Sequence, residues 1–134
     1  MIKIVLDTNV LMSGIFWSGY PQKILNRWHD KKIQFILSAE IIEEYVRVGN
    51  ILNKKYQSIN INPLLDLIVK RSKLVCQLSL SEKISRDSDD DKFIATALAG
   101  KCSIIVSGDK DLLDIKEYAN IKILSPADFV KQYL

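Results

Sequence analysis

Four acidic residues, widely separated in the sequence, have the types and settings that metal-dependent chemistry needs. They are Asp7, Glu44, Asp90 and Asp109. Clustered carboxylates prefer hard cations such as Mg²⁺ and Mn²⁺, which take oxygen ligands and keep bound water. A cation held in this way can activate water and stabilise charge on the attacking and leaving oxygens of a phosphodiester, as in two-metal nucleases. This chemistry requires a fold that brings the four side chains together.

Asp90 gives the strongest single indication of such a site. The acidic segment 86–91 precedes a predicted helix, and an exposed cap favoured by the helix dipole would explain most of its acids. On the wheel of that helix, however, Asp90 lies near the middle of the apolar face, whereas Asp89 and Asp91 lie to either side. Since an unpaired inward carboxylate costs on the order of several kcal/mol, Asp90 requires a cation or a shifted pKa. The wheel favours Asp90 but leaves Asp89 and Asp91 open.

Asp7 and Asp109 each follow a short apolar run, Ile2–Leu6 and Ile104–Val106, that is typical of a buried parallel strand. Carboxyl ends of parallel strands meet at one sheet edge, where ligands bind at the point at which strand order reverses. Helix N-capping explains either aspartate equally well when it is taken alone. We expect both side chains to lie in the same crevice.

Glu44 lies on a predicted helix that begins after Ser38, at the border of the apolar stripe beside Ile41 and Val48. Glu40 and Glu43 point further round the helix. A border position is ordinary for any amphipathic helix, so Glu44 alone does not indicate a metal site. Four independent elements that deliver carboxylates toward one sheet edge form a combination that capping alone does not predict.

Strands alternate with helices along the whole chain. Further strands are predicted at Phe35–Leu37, Leu74–Leu78 and Ile121–Leu124. Alternation of this kind implies right-handed crossovers, hence an α/β fold with a central, mostly parallel sheet between helices, a three-layer α/β/α sandwich. Helices are predicted from Val10 until Ser18-Gly19 breaks the pattern, from Pro21 to about Asp30, from Ser38 to about Val48 with Gly49 as its end, from Pro63 to about Lys73, from the acidic segment to Ala99, after Asp109, and from Pro126.

The 134 residues fit a single domain, 1–134, with 48% hydrophobic and 26% charged residues, as in globular proteins. If four of the 16 acids are withdrawn into a metal site, the net charge of +3 becomes +7 for the rest, which can attract a polyanion. Each lysine cluster can also be an ordinary solvated surface. No membrane span or secretory leader is predicted, so we expect a cytoplasmic protein.

Other common catalytic sets find little support. Cys76 and Cys102 lie far apart in apolar surroundings and are predicted to be buried free thiols. His29, the only histidine, is predicted to lie on the surface at a polar helix end. Acid–base chemistry based on histidine is therefore not expected, and no Cys/His set competes for a metal.

Taken together, these residues resemble the PIN-domain nucleases, and the resemblance covers essentially the whole chain. It is carried by Ile-Val-Leu-Asp7-Thr8-Asn9, by Ser38 with Glu44, by Asp87-x-x-Asp90-x-x-Phe93, and by Val106-Ser107-Gly108-Asp109-Lys-Asp111. More closely, the chain is similar to VapC-like ribonucleases, the toxins of bacterial and archaeal toxin–antitoxin modules. Asp-Thr-Asn alone would be weak, whereas the combination in this order is fairly specific.

The resemblance implies cleavage of single-stranded RNA with Mg²⁺ or Mn²⁺, leaving a 3′-hydroxyl and a 5′-phosphate. It implies catalytic and metal-binding roles for Asp7, Glu44, Asp90 and Asp109, with support from Thr8, Asn9, Ser107 and Asp111. It also leads us to expect a homodimer and a cognate antitoxin as partner. Trp17, Trp28 and Tyr20 are candidates for interface contacts, although burial is the ordinary state of aromatic residues.

Two other functions compete. A phosphotransfer enzyme with an acceptor at Asp7 is a poorer match, because haloacid-dehalogenase-like hydrolases need a second Asp where this chain has Asn9. A receiver-like regulator leaves Glu44 and Asp90 unexplained. The non-enzymatic alternative is a catalytically silent PIN-like domain that binds RNA or serves as a scaffold.

Overall fold

The computed structural model describes residues 1–76, 80 and 83–134 as a central sheet with helices packed on both faces. The predicted α/β/α sandwich is confirmed. The strands are β1 Ile2–Leu6, β2 Ile33–Leu37, β3 Lys73–Leu74, β4 Ile104–Val106, β5 Glu117–Tyr118 and β6 Ile121–Leu124. The helices are α1 Thr8–Phe16, α2 Tyr20–His29, α3 Ala39–Lys55, α4 Ile61–Arg71, α5 Asp91–Ala99, α6 Lys110–Leu113 and α7 Pro126–Tyr133, and a 3-10 turn at Ser88–Asp90 leads into α5.

The strand order is β3-β2-β1-β4-β6-β5. All neighbouring strands are parallel except the pair β5 and β6. From β1 the chain proceeds outward to β2 and β3 on one side, then returns to β4 on the other. The strand order therefore reverses between β1 and β4, and the crevice at their carboxyl ends is where this topology places a ligand site.

The core lies on both faces of the two central strands. Ile4, Val5, Ile105 and Val106 are each fully buried, as expected of parallel strands that are covered on both sides. Burial of this apolar surface stabilises the sheet by roughly 25 cal/mol per Å² removed from water. The packing fixes the ends of β1 and β4, and with them the residues that follow.

The end of α3 was predicted wrongly, because the helix continues through Gly49 to Lys55. Gly49 is buried, and a Cβ at this position would lie 2.9 Å from Ile61 Cδ1 and 3.4 Å from Leu65 Cδ1. The glycine allows α4 to pack closely against α3 and does not end the helix. Val46, an apolar residue on the same helix, is 40% exposed.

Smaller differences concern the start of α4 and the edge strands. Helix α4 begins at Ile61, two residues before Pro63, with the Asn60 side chain capping Asn62 N–H. The edge strand β5 was not predicted; of the predicted strand Leu74–Leu78, Leu74 belongs to β3, and residues 77–78 lie outside the described residues.

The burial of three side chains can be compared with its prediction. Cys102 is buried as predicted, whereas Cys76 is exposed, contrary to the prediction. Trp28 is buried and stacks on Phe35, with the two ring centroids 5.7 Å apart.

Across the described parts of the chain, no helix combines the length and the apolar character needed to cross a membrane.

Candidate metal centre

An acidic cleft opens at the carboxyl ends of β1 and β4, where the strand order reverses. Its volume is about 230 Å³, and every charged residue of its lining is acidic. The lining residues are Asp7, Thr8, Asn9, Glu44, Val48, Asp87, Asp89, Asp90 and Asp109. The structure thus brings the four acids singled out from the sequence to one cleft.

Asp7 and Asp109 are joined through Ser107. The Ser107 hydroxyl donates to Asp7 Oδ2 at 2.6 Å and accepts from the Asp109 backbone N–H at 3.0 Å. Asp7 is 5% exposed, and this burial is the main cause that raises the pKa of its carboxyl. The negative charges of Glu44 and Asp109 raise the pKa further, whereas the Ser107 hydrogen bond opposes the rise. The serine therefore orients Asp7 and partly compensates its burial.

The capping alternative applies to one of these two aspartates. Asp7 precedes α1 but its side chain makes no capping hydrogen bond to that helix. Asp109 Oδ1 accepts from the Asp111 N–H at 3.1 Å and so caps α6. A capped carboxylate keeps further oxygen lone pairs free for another ligand.

Among the described residues, Asp90, Asp109 and Asp111 form a close acidic group, with one carboxylate oxygen from each lying within 4.8 Å of the others. The pKa of Asp90 is raised to about 8. Burial is the largest cause, followed by the adjacent Asp109 carboxylate, to which only a protonated Asp90 can donate a hydrogen bond, and by repulsion from the charges of Asp109, Asp7 and Asp87. Asp111, expected from the sequence only as a supporting residue, belongs to this central group.

One atom of this group lacks a partner. Asp90 Oδ2 is buried and has no hydrogen bond; among the described residues only Ser85 Oγ shares this condition. A buried acceptor without a partner costs free energy, about 1–3 kcal/mol for a neutral group and more for a charge. Converging oxygens with one buried oxygen left over fit a divalent cation with oxygen preference, such as Mg²⁺ or Mn²⁺.

The neighbours of Asp90 have other positions. Asp91 accepts hydrogen bonds from the backbone N–H groups of Ile84 at 3.0 Å and Ser85 at 2.7 Å. Its carboxylate therefore holds these two residues against the start of α5. Asp89 is exposed at the wall of the cleft. The geometry therefore favours Asp90 among the three acids as the ligand.

Glu44 reaches the same cleft but is bound differently. Its Oε2 accepts a hydrogen bond from the Thr8 hydroxyl, and its Oε1 lies 2.7 Å from Lys92 Nζ and 3.8 Å from Arg47. The Lys92 and Glu44 side chains are only 17% and 15% exposed, so water weakens this ion pair less than it would a surface pair. The negative charge of Glu44 is therefore already balanced by the positive charges of Lys92 and Arg47.

Two further residues place Glu44, and sequence reasoning missed both of them. Tyr45 is buried, and its hydroxyl donates to the Leu6 carbonyl, which ties α3 to the end of β1. Lys92 comes from the first turn of α5, two residues after Asp90. A lysine among buried neighbours on α5 was a signal that it has a carboxylate partner.

Comparison with known proteins finds a family and a relative that match most of this chain. The model of the PIN domain family matches residues 3–111, which include every residue of the acidic cleft. The uncharacterized protein MJ1680 of Methanocaldococcus jannaschii is 30% identical over 146 aligned positions, covering 98% of this chain and 92% of that protein.

A similar fold is found in a solved structure. The crystal structure of FitAcB from Neisseria gonorrhoeae aligns with a TM-score of 0.56 and 16% identity, covering 92% of this chain and 98% of that chain. At this identity the likeness concerns the fold. Because the family model matches residues 3–111, which include the acidic cleft and the two strands that carry it, this chain belongs to the PIN-domain family.

Proposed function

We propose that this protein is an endoribonuclease that cleaves single-stranded RNA with Mg²⁺ or Mn²⁺. The observation that carries the proposal is the group Asp90, Asp109 and Asp111, whose oxygens converge while Asp90 Oδ2 remains buried without a partner. Three carboxylates this close repel one another, so the arrangement is costly until a cation neutralises it.

The residues of the cleft have different roles in the proposed reaction. Asp90, Asp109 and Asp111 would hold the cation together with Asp7, and Glu44 would lie beside them. A divalent cation bound there would polarise the phosphodiester and stabilise the negative charge that develops on its oxygens. Ser107 fixes the Asp7 carboxylate, and Lys92 with Thr8 fixes that of Glu44. Asn9 is exposed at the mouth of the cleft, where its amide can donate to a phosphate oxygen.

The biological setting belongs to the same proposal. We infer a single PIN domain that acts in the cytoplasm as the toxin of a type II toxin–antitoxin module, as a homodimer held inactive by an antitoxin. The motif combination that resembles VapC-like ribonucleases supports this part. An antitoxin would silence the cleft by offering a basic side chain to its acids. A short neighbouring gene for a DNA-binding antitoxin and a dimer in light scattering are the observations that test it.

The reaction is tested with purified protein and a labelled single-stranded RNA. With Mn²⁺ or Mg²⁺ we expect cleavage, and excess EDTA should abolish it. Asp109→Asn should lower cleavage by orders of magnitude and remain folded, because it removes charge from an acidic group without changing volume. Asp66→Asn is the matched control, since Asp66 is exposed on α4 outside the cleft.

Two results would contradict the mechanism. Cleavage by folded Asp109→Asn, or by the wild type in excess EDTA, would mean that the activity does not arise in this cleft. Tight RNA binding without cleavage under any metal would instead support the catalytically silent RNA-binding domain.

A further inference from the structure

Helices α1 and α3 lie side by side and run in the same direction from the acidic cleft. At the cleft, Thr8 bonds to Glu44; midway, a Cβ on Gly49 would lie 3.5 Å from Met12 Cε. At the far end, the rings of Phe16 and Tyr56 have centroids 6.0 Å apart. At a rise of about 1.5 Å per residue, that far end lies ~12–18 Å from the cleft.

Three aromatic rings gather at this far end, and we name them the aromatic cluster: Phe16, Trp17 and Tyr56. Trp17 and Tyr56 meet edge to face at 5.5 Å, and Phe16 lies 6.0 Å from Trp17. Trp17 is 47% exposed and Tyr56 36% exposed, although aromatic residues are usually buried. The partly buried Phe16 supports two rings that remain open to solvent.

The charge around the aromatic cluster is positive. Lys55 Nζ lies 5.5 Å from the centroid of the Tyr56 ring, and Lys54 precedes it in the last turn of α3. Both lysines are exposed and make no ion pair in the described part of the chain. Open aromatic faces beside lysines suit the bases and phosphates of single-stranded nucleic acid, because every base has a π-face and stacks regardless of sequence.

A path along α1 joins the two places. Asn9 and Ser13 are four residues apart on one face of α1, and Trp17 follows the helix directly, with its backbone N–H donating to the Ser13 carbonyl at 3.0 Å. Asn9 lines the acidic cleft, Asn9 and Ser13 line the adjoining cavity, and Trp17 is at the far end. A strand that leaves the cleft along this face reaches the aromatic cluster after a few nucleotides.

We propose that the aromatic cluster is a base-stacking subsite for single-stranded RNA whose scissile phosphodiester lies in the acidic cleft. The inference rests on the proposed function and adds a second contact with the same substrate. Two partly exposed rings offer far less area than the ~800 Å² per partner of a standard protein interface. Stacking needs only the faces of the rings, and phosphates can neutralise Lys54 and Lys55.

The test measures RNA binding separately from cleavage. An oligouridine of about twelve nucleotides, within the site sizes used by single-strand binders, is titrated into the Asp109→Asn background so that it is not cut. Trp17→Ala and Tyr56→Ala should each weaken binding about tenfold, whereas Trp17→Phe should retain most of the affinity. Tyr133→Ala is the matched control, because Tyr133 is 39% exposed on α7. Thermal unfolding of each variant verifies that it folds.

Substrate length separates this subsite from the cleft. A dinucleotide whose phosphodiester lies in the cleft extends by only one nucleoside toward the aromatic cluster, which is ~12 Å away along α1. Trp17→Ala should therefore leave dinucleotide binding unchanged while weakening that of the oligouridine. Unchanged oligouridine binding in both alanine variants overturns the proposal; if light scattering then shows altered assembly, the cluster is a protein interface. Loss of oligouridine binding with no cleavage by the wild type supports the subsite and refutes the nuclease, so the two failures are distinguishable.

Discussion

The two sides of the acidic cleft use the same functional group in opposite ways. On the Asp90 side, Asp90, Asp109 and Asp111 face one another, and the pKa of Asp90 is raised to about 8. On the Glu44 side, one carboxylate receives the Thr8 hydroxyl and the Lys92 ammonium. One side concentrates negative charge, whereas the other neutralises it.

The difference shows that the location of an acid and its charge balance are separate properties. Helical position predicted that both Asp90 and Glu44 would reach the cleft. Only the neighbours in space decide which carboxylate needs an external cation. We therefore expect the Asp90 side to dominate metal affinity and the Glu44 side to fix the shape of the cleft.

The largest effect should appear when one acid is neutralised on each side in turn. Asp90→Asn should weaken Mn²⁺ binding by more than about tenfold, since even indirect partners of metal ligands are worth that much. Glu44→Gln should weaken it less, because Lys92 already offsets the charge of Glu44. Calorimetric titration measures both affinities, with Asp66→Asn as the control.

Equal losses in the two variants would mean that both sides hold the cation alike. Unchanged affinity in Asp90→Asn would remove Asp90 as a ligand and make Asp89 or Asp91 the next candidate.

An intermediate effect is expected when the positive charge of the Glu44 side is removed. Lys92→Met should lower the free energy of unfolding by about 1.5–3 kcal/mol, the range for a lost hydrogen bond to a charged group. The same change should raise Mn²⁺ affinity, because an ammonium no longer competes for Glu44. Urea denaturation and calorimetry measure the two quantities, and Lys92→Arg should preserve both. Weaker Mn²⁺ binding in Lys92→Met would show that the lysine serves the cation site by placing Glu44.

The smallest effect concerns pH in the absence of metal. A carboxyl whose folded pKa is raised contributes stability that is fully present below its unfolded pKa of about 4 and is lost as pH rises through the folded value. With Asp90 at about 8, the melting temperature in EDTA should fall by a few degrees from about pH 5 to about pH 8.

Asp90→Asn should reduce this pH-dependent decrease in melting temperature. Added Mn²⁺ should restore the melting temperature of the wild type at high pH. Because the pKa of Asp7 is raised too, part of the slope should persist in the variant. A slope identical to that of the wild type would show that Asp90 does not titrate in this range.

Patterns along the chain predicted the central architecture well. Apolar runs that end in Asp7 and Asp109 predicted two neighbouring strand ends, since burial on both faces leaves a clear mark on a parallel strand. The end of α3 at Gly49 was wrong, because the glycine serves contact with Ile61, which lies on another helix. A pattern of neighbouring residues in the sequence cannot reveal a contact between two helices.

The same reasoning explains what was missed in the cleft. The structure confirms that the four predicted acids share one cleft, while their roles as ligands remain predictions. The partner of Glu44 is Lys92, 48 residues away, and Asp111 joins Asp90 only through the turn that follows β4. Charge compensation depends on pairs that the fold creates, so a helical wheel can place an acid without revealing its partner.

The pairing of β1 with β4 also has a consequence for the order of events during synthesis. Val5 and Leu6 pair with Ile105 and Val106, and Ser107 holds Asp7 across 100 residues of sequence. Contacts so distant along the chain require the closure of a long loop, which costs chain entropy and slows folding. A nascent chain that already contains Asp7, Glu44 and Asp90 still lacks the strand that gathers them. The cleft comes into existence only after the ribosome has passed Asp109, so an unfinished chain cannot carry the complete site.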